Sequence, residues 1–202
     1  MGLTLAGLHS QIDKCVVCSA FVRPLRKPAS GLDRGDGRDI FIIGQAPGRT
    51  EVTSQRAFSG LSGTRLDEWL VECGRPKTDP RSGVYLTSVL KCPLNKPSDF
   101  RGMARRCHHF LESQLEIIKP RLVVTLGRES FEYLRLADGN YDDLIGKLFF
   151  PSAGSLLSFH PFEAMVHWPH PSGLNRWHNT PGNGDRLKKS FIEVKNFLAG
   201  AS

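Results

Sequence analysis

Long hydrophobic runs are missing from this sequence. No stretch approaches the roughly 18 consecutive apolar residues that a membrane-spanning helix needs. The N-terminus has no basic segment before an apolar core and no small-residue cleavage site, so we expect no signal peptide. Internal repeats and low-complexity tracts are absent, and 202 residues exceed the size of a disulfide-stapled miniprotein. We therefore expect a globular, cytoplasmic protein, a compartment in which disulfides are rare.

Acidic residues are outnumbered by basic ones. The chain carries 27 Lys and Arg against 20 Asp and Glu, which gives a formal charge of +7. Apolar residues make up 40% of the chain and charged residues 23%, an ordinary globular composition that does not indicate disorder. The positive surplus is compatible with a polyanionic partner such as nucleic acid, and equally with none. Charge alone leaves the partner open.

Apolar runs alternate with amphipathic stretches along the chain. Strands are predicted at residues 39–44, 84–90, 121–127 and 163–167, and helices at residues 64–73, 103–118, 129–136 and 186–198. This alternation predicts a three-layer α/β/α fold with a mainly parallel four-stranded central sheet. We expect one domain over residues 1–202, with an N-terminal arm at about residues 1–35 that bears a cysteine pair and a short helix.

Unusual residues gather in loops that follow the predicted strands. Residues 44–51 and 56–60 follow the first strand, residues 91–93 the second and residues 170–176 the fourth. They read Gly-Gln-Ala-Pro-Gly-Arg-Thr-Glu, Arg-Ala-Phe-Ser-Gly, Lys-Cys-Pro and His-Pro-Ser-Gly-Leu-Asn-Arg. Singly, each segment is compatible with ordinary turn chemistry. Because the carboxyl ends of parallel strands share one edge of a sheet, together they predict a single pocket there.

The cysteines do not by themselves identify a site. Cys15 and Cys18 form a Cys-x-x-Cys pair, which is compatible with zinc, with redox chemistry or with an iron–sulfur cluster. Cys73 lies within a predicted helix beside Trp69 and is interpreted as a small buried hydrophobe. An electron-transfer protein built around the cysteines would explain neither the loop segments nor the positive charge.

Together, the loop segments resemble the motifs of the uracil-DNA glycosylase superfamily, most closely its iron–sulfur branch, family 4. The family's Gly-Glu-Ala-Pro-Gly segment matches residues 44–48, with Gln45 in place of the glutamate. Its Pro-Phe-Val-Gly segment matches residues 57–60, its Thr-Asn-Val-Val-Lys-Cys segment matches residues 87–92, and its His-Pro motif matches residues 170–171. The resemblance implies a DNA repair enzyme that flips uracil out of DNA and hydrolyses its N-glycosidic bond, leaving an abasic site.

The resemblance also implies roles for individual residues. His170 is expected to hydrogen-bond to the anion that develops at O2 of the base, Glu51 to orient water or face the sugar, and Gln45 to line the same oxygen or the base edge. Phe58 would stack on the flipped base, and Leu174 would fill the space it leaves in the DNA. The other expected substrate-binding residues are Gly44, Ala46, Pro47, Gly48, Ser88, Ser172 and Arg176.

A metal site follows from the same resemblance. It implies a [4Fe–4S] cluster held by Cys15, Cys18, Cys92 and Cys107, which would fix the N-terminal arm and the loop around Cys92 without redox turnover. Zinc is the alternative occupant, since tetrahedral sulfur ligation suits both.

Two positions depart from the family 4 pattern. Ser88 stands where the family has the Asn that reads the O4 and N3 edge of uracil, and a hydroxyl has a shorter reach. A second hypothesis is therefore a catalytically weak module that binds uracil- or lesion-containing DNA. Residues 170–176 have the serine-bearing form of other branches, which indicates an atypical subgroup. Under both hypotheses we expect DNA as the partner, no membrane and a monomer.

Overall fold

The computed structural model describes residues 2–19, 38–134, 139–150 and 161–200. These residues form an α/β fold around a mixed, mostly parallel sheet with the strand order β2-β1-β3-β5-β4. The strands are β1 Ile40–Gly44, β2 Val84–Ser88, β3 Leu122–Leu126, β4 Leu148–Phe149 and β5 Ala164–Trp168. β1 pairs in parallel with β2 and β3, and β3 pairs in parallel with β5.

All four predicted strands form, and they run parallel to one another. The prediction of a four-stranded sheet is wrong, because β4 adds a fifth strand that runs antiparallel to β5. β4 has only two residues, too few to show a periodic pattern in the sequence.

Seven α-helices lie in the described residues, and three of them begin three residues earlier than predicted. They are α1 Leu5–Lys14, α2 Arg49–Ser54, α3 Leu61–Glu72, α4 Phe100–Ile118, α5 Arg128–Leu134, α6 Tyr141–Leu144 and α7 Asn183–Leu198. The caps of α3, α4 and α7 are Gly60, Asp99 and Gly182, and none of these makes a side-chain cap hydrogen bond. The usual Ser, Thr or Asp signal for a helix start is therefore missing at α3 and α7, while α4 has an Asp at its cap that makes no cap bond. α2 was not predicted, because it buries no residue and so has no apolar periodicity.

Two hydrophobic clusters lie on opposite faces of the sheet. Residues 41 and 43 of β1 pack with α1 and α4, whereas residues 40 and 42 pack with α3 and α7. All five residues of β1 are buried, as expected for a central parallel strand covered on both faces. The core thus leaves the carboxyl ends of the strands as the edge from which the predicted loops emerge.

Part of the predicted arm lies outside the described residues, namely positions 20–37, so its extent stays a prediction. The helix predicted at residues 129–136 is described as far as Leu134. Among the described helices, none has both the length and the apolar character needed to cross a bilayer.

Candidate active site

A cavity of about 170 Å³ opens at the carboxyl ends of β1 and β2, whose last residues, Gly44 and Ser88, are paired in register. The volume is below the roughly 300–1,000 Å³ typical of drug-sized ligands, so the cavity suits one small ring. Its lining includes these predicted site residues: Ala46, Pro47, Gly48, Glu51, Phe58, Ser88 and His170. The structure thus brings the loops after the first, second and fourth predicted strands together around one cavity. The other predicted positions lie outside this lining: Gly44, Gln45, Ser172, Leu174 and Arg176.

Phe58 is held at the cavity by contacts with Gly44 and Gly63, which the residues next to it in the sequence do not predict. Its ring lies against Gly44, where a Cβ would stand 2.9 Å from the Phe58 Cζ atom. The backbone of Phe58 has a positive φ of 49°, an uncommon conformation for a bulky residue. A Cβ on Gly63 would stand 1.7 Å from the Phe58 carbonyl oxygen, so α3 approaches this loop more closely than any side chain would allow.

Arg81 fastens residues 55–60, which we call the Phe58 loop. One guanidinium nitrogen donates to the Ala57 carbonyl at 3.0 Å, and another donates to the Phe58 carbonyl at 2.7 Å. The same guanidinium pairs with Asp67 of α3 at 2.6 Å. A charged group therefore ties both backbone carbonyls to α3, which explains how the strained backbone of Phe58 is maintained.

His170 follows β5 and is oriented by its own loop. The backbone amide of Ser172 donates to Nδ1 of His170 at 3.1 Å, so Nδ1 is an acceptor. A neutral imidazole with an accepting Nδ1 carries its proton on Nε2. Burial lowers the pKa of His170, and the carboxylates of Glu129 and Glu51 oppose that shift. His170 therefore presents an N–H donor at neutral pH without carrying a charge.

The His170 loop, residues 169–180, is stabilised by short-range hydrogen bonds. The carbonyl of His170 accepts from the side chains of Asn175 and His178, both at 3.1 Å. The Ser172 hydroxyl accepts from the Leu174 amide at 3.2 Å, so within the loop it caps a turn. Leu174, four residues beyond His170, is 92% exposed at the resulting tip. The loop thus presents one half-buried polar residue and one exposed apolar residue from a single compact turn.

Glu51 lies in the first turn of α2 with its carboxylate folded back over Gly48. A Cβ at Gly48 would stand 2.6 Å from Oε2 of Glu51, so a side chain at that position would displace the carboxylate. Glu51 and His170 line the same cavity, and the negative charge of Glu51 acts on the imidazole. The two groups expected to carry the chemistry therefore face one space.

Ser88 and Gln45 differ in how they meet the cavity. The Ser88 hydroxyl donates to the Leu90 carbonyl at 2.6 Å, which leaves its oxygen as an acceptor. Gln45 holds the loop through its backbone, since its carbonyl accepts from the Leu90 amide at 3.0 Å. The expected roles of both side chains stay predictions.

A buried lysine in the cavity was missing from the predicted site. Lys91 is 3% exposed, and its Nζ donates to the Ser88 carbonyl at 2.6 Å and to Thr87 Oγ1 and Gln114 Oε1, each at 2.7 Å. Burial lowers the pKa of Lys91 to about 7, an effect opposed by the nearby Cys107 sulfur. From the sequence, Lys91 was expected in a loop beside a cysteine. Nothing in the sequence predicts its hydrogen bond to Gln114, which lies 23 residues later.

A second cleft, of about 650 Å³, also contacts His170. Arg176 lines this cleft together with Arg128 and Arg186. Arg186 is engaged with the carbonyls of residues 142 and 143, and Arg128 pairs with Asp142 at 3.1 Å. Arg176, an expected substrate-binding residue, therefore lies in a groove next to the smaller cavity.

The cysteines separate by the face of the sheet on which they lie. Cys18, Cys92 and Cys107 are buried in the cluster formed with α1 and α4, and Cys15 packs against it. The Lys91 amide donates to the Cys107 sulfur at 3.4 Å. Cys73 lies in the cluster on the opposite face, where burial raises its pKa, in agreement with a structural thiol.

Cys15, Cys18, Cys92 and Cys107, on the α1 and α4 side of the sheet, are the candidate ligands for an iron–sulfur group. None of the five cysteines, all within the described ranges, forms a disulfide. In those ranges, no three His, Cys, Asp or Glu side chains are close enough to share a metal ion. The four thiols lie on one side of the sheet, and thiolates are the ligand type that an iron–sulfur cluster requires, while the cluster itself stays a proposal.

Comparison with known proteins points to one family. Residues 33–196 match the uracil DNA glycosylase superfamily. A type-4 uracil-DNA glycosylase from Pyrobaculum aerophilum is 32% identical over 148 residues, 71% of each chain, and one from Thermotoga maritima is 32% identical over 130 residues, 62% of this chain and 63% of the other. A type-5 uracil-DNA glycosylase from Thermus thermophilus is 30% identical over 187 residues, 83% of this chain and 77% of the other. The chain belongs to the uracil DNA glycosylase superfamily.

Proposed function

We propose that this protein removes uracil from DNA by hydrolysing the bond between the base and C1′ of its sugar. The observation that carries the proposal is the orientation of His170. Its Nδ1 accepts the Ser172 amide, so Nε2 is left as a neutral donor in a cavity that Phe58 and Glu51 also line. A neutral donor suits an oxygen that becomes negative only as the base departs.

The base must first leave the duplex. Extruding a nucleotide costs a few kcal/mol, least for a mispaired base such as uracil opposite guanine. The Phe58 ring offers a stacking face for the extruded pyrimidine, and the exposed Leu174 occupies the gap in the stack. Arg176 in the adjacent cleft contacts the DNA backbone.

Cleavage then depends on charge placement. The base leaves with the bonding electrons, so negative charge collects on its O2 while the sugar becomes positive. His170 Nε2–H donates to O2, and the Glu51 carboxylate faces the sugar or orients the attacking water. Gln45 keeps the first loop in place through its carbonyl, and its side chain is assigned to the base edge.

We assign a [4Fe–4S] cluster to Cys15, Cys18, Cys92 and Cys107. These four thiolates would hold the cluster, and the end of α1, the loop after β2 and α4 would then be linked through it. The buried positions of Cys18, Cys92 and Cys107 support this assignment. We expect the purified protein to be brown and to contain four iron and four sulfide per chain. Stoichiometric zinc in a colourless protein would contradict it, and Cys73→Ser, on the other face, is the control that keeps the colour.

The activity is tested with oligonucleotides that carry one uracil opposite guanine, opposite adenine or unpaired. We expect release of free uracil and alkali-labile strands, with thymine in the same position as the negative control. The iron content of each preparation is measured first, so that inactivity is not confused with loss of cluster. Cluster-containing protein that leaves all three substrates intact would reject the proposal.

A second candidate is a lesion-binding module of the same fold, and Ser88 is the observation that favours it. Its hydroxyl is already donated to the Leu90 carbonyl, so it has only acceptor capacity toward a base. Specific binding of uracil-containing DNA, with no product after long incubation, would select this candidate. Release of uracil would exclude it.

A further inference from the structure

Lys91 is a buried, positively charged residue in the lining of the cavity. Its side chain is almost completely buried, and Nζ lies within 2.7 Å of three oxygen atoms, on Thr87, Ser88 and Gln114. An ammonium group has three N–H donors, whereas a neutral amine has two. The carbonyl of Ser88 and the amide oxygen of Gln114 can only accept, so the surroundings match an ammonium group. Among the described ion pairs, none joins Lys91 to a carboxylate.

The orientation of Gln114 shows that this arrangement is specific. Gln114 is completely buried on α4, and its Nε2 donates to the Tyr85 hydroxyl at 2.8 Å. That bond directs Oε1 toward Lys91, and Oε1 also accepts from the Thr87 hydroxyl at 3.2 Å. The Tyr85 hydroxyl in turn lies 2.7 Å from Nε2 of His9 on α1. Buried groups from α1, β2 and α4 thus hold one amide oxygen against the ammonium.

All three donors of Lys91 are used by the protein, so Lys91 has none left for a base. Its influence on a bound pyrimidine must come through its charge and through the groups that it holds. In a buried site a charge acts strongly on its surroundings, because little water screens it. A base that gains negative charge on leaving is stabilised by such a cation.

Resting on the proposed glycosylase activity, we propose that Lys91 is a second electrostatic group of the reaction, whose charge stabilises the departing base anion from the β2 side of the cavity. His170 acts on the same anion from the loop after β5. The C1′–N1 bond breaks with its electron pair going to the base, and water adds its oxygen to C1′ and supplies the proton that the base finally takes up. Lys91 gains and loses no proton in this step.

The test compares two leaving groups. Fluorine withdraws electrons, so the anion of 5-fluorouracil is inherently more stable than that of uracil and needs less help from the protein. Lys91→Met keeps the length of the side chain and removes its charge. We expect the single-turnover rate on uracil to fall about tenfold or more, and the rate on 5-fluorouracil to fall by a clearly smaller factor. DNA affinity should stay within about twofold.

A second variant separates charge from packing. Gln114→Glu keeps the shape of the side chain, lies outside the cavity lining and places a carboxylate beside the Lys91 ammonium. We expect the same larger loss on uracil than on 5-fluorouracil, although Lys91 itself is unchanged. Thr125→Val is the matched control. It removes a buried hydroxyl on β3 that contacts His167 of β5. That control should leave the ratio of the two rates unchanged.

Folding and iron content are measured for every variant, because Lys91 is next to Cys92. An equal loss on both bases by either variant, with normal iron content and melting temperature, would overturn the inference and leave Lys91 and Gln114 as packing residues. If a variant loses iron or does not fold, Lys91→Arg is used instead. This variant keeps the positive charge, so the ratio of its rates on uracil and 5-fluorouracil should match that of the wild type. A changed ratio in Lys91→Arg would also overturn the inference. Wild-type protein that releases neither base would reject the proposed function itself, a distinct result.

Discussion

The two loops that meet at the cavity are stabilised in different ways. The His170 loop is held by bonds between residues no more than eight positions apart, such as those from Asn175 and His178 to the His170 carbonyl. The Phe58 loop depends on Arg81, which lies 23 residues beyond Phe58. A loop with short-range bonds carries its conformation in its own sequence, whereas the other loop acquires its conformation only after α3 and the following turn have packed. The difference predicts that distant substitutions affect the two halves of the site unequally.

Removing the imidazole tests the His170 loop directly and should give the largest effect. His170→Ala deletes the only donor that we assign to O2 of the base, so we expect kcat on uracil to fall about 10²- to 10³-fold. Binding to uracil-containing DNA should change little, because the rest of the loop keeps its bonds. Single-turnover kinetics and fluorescence anisotropy measure the two quantities. His109→Ala, at an exposed position on α4, is the control with wild-type rates; a retained rate in His170→Ala would remove this residue from the reaction.

Arg81→Met tests the long-range support of the Phe58 loop. It removes the donors to the carbonyls of residues 57 and 58 and leaves Asp67 without its partner, so we expect a loss of about 2–3 kcal/mol in the free energy of unfolding. Because small misplacements of a binding group are costly, kcat/KM on uracil should fall about tenfold. Arg75→Met breaks the comparable pair with Asp39, 2.9 Å apart, and should lower stability alone. Equal activity in the two variants would show that Arg81 does not position Phe58.

Leu174→Ala tests the exposed tip of the His170 loop. We expect excision from duplex DNA to slow about three- to tenfold, roughly 1 kcal/mol, because the space left by the flipped base is less well filled. Excision from single-stranded DNA should not change, since no stack has to be opened. Ile192→Ala on α7, also an exposed apolar residue, serves as the control. A loss of the same size on both substrates would contradict the role of a wedge.

The pH dependence of kcat/KM tests the protonation state of His170. It is the smallest of the effects that we expect near neutral pH. Burial lowers the pKa of His170 below its usual 6.5, so the neutral form persists at pH values where an exposed histidine is already protonated. Protonation places a second N–H opposite the Ser172 amide and breaks the bond that orients the ring. We expect the acid limb of kcat/KM, which follows protonation of His170, to be centred below pH 6.5. An acid limb centred above pH 6.5 would contradict this.

The sequence predicted what is encoded over short distances. The four parallel strands and most of the helices follow from apolar periodicity, and the cavity lies at the carboxyl ends of β1 and β2, as expected from the alternation of strands and helices. The membership in the glycosylase superfamily follows from motifs that are contiguous in the chain, and it is confirmed. The residue roles in the site stay predictions, although seven of the predicted positions line one cavity.

Features that depend on distant contacts were not predictable in the same way. β4 is two residues long and forms only because β5 offers its edge. The helix starts at Gly60 and Gly182 have no side-chain cap. The burial of Lys91 depends on Gln114 of α4, and the separation of Cys73 from the other cysteines depends on which sheet face each element covers. For β4 and for Lys91, the deciding contact comes from an element later in the sequence.

The hydrogen bond that orients His170 has a consequence for mutational tolerance. Its donor is the main-chain N–H of residue 172, which is present in every amino acid except proline. Changes of the side chain at position 172 therefore leave the tautomer of the imidazole intact, and only proline removes it. The tautomer of His170 is thus insensitive to almost every single substitution at the residue that supplies the bond.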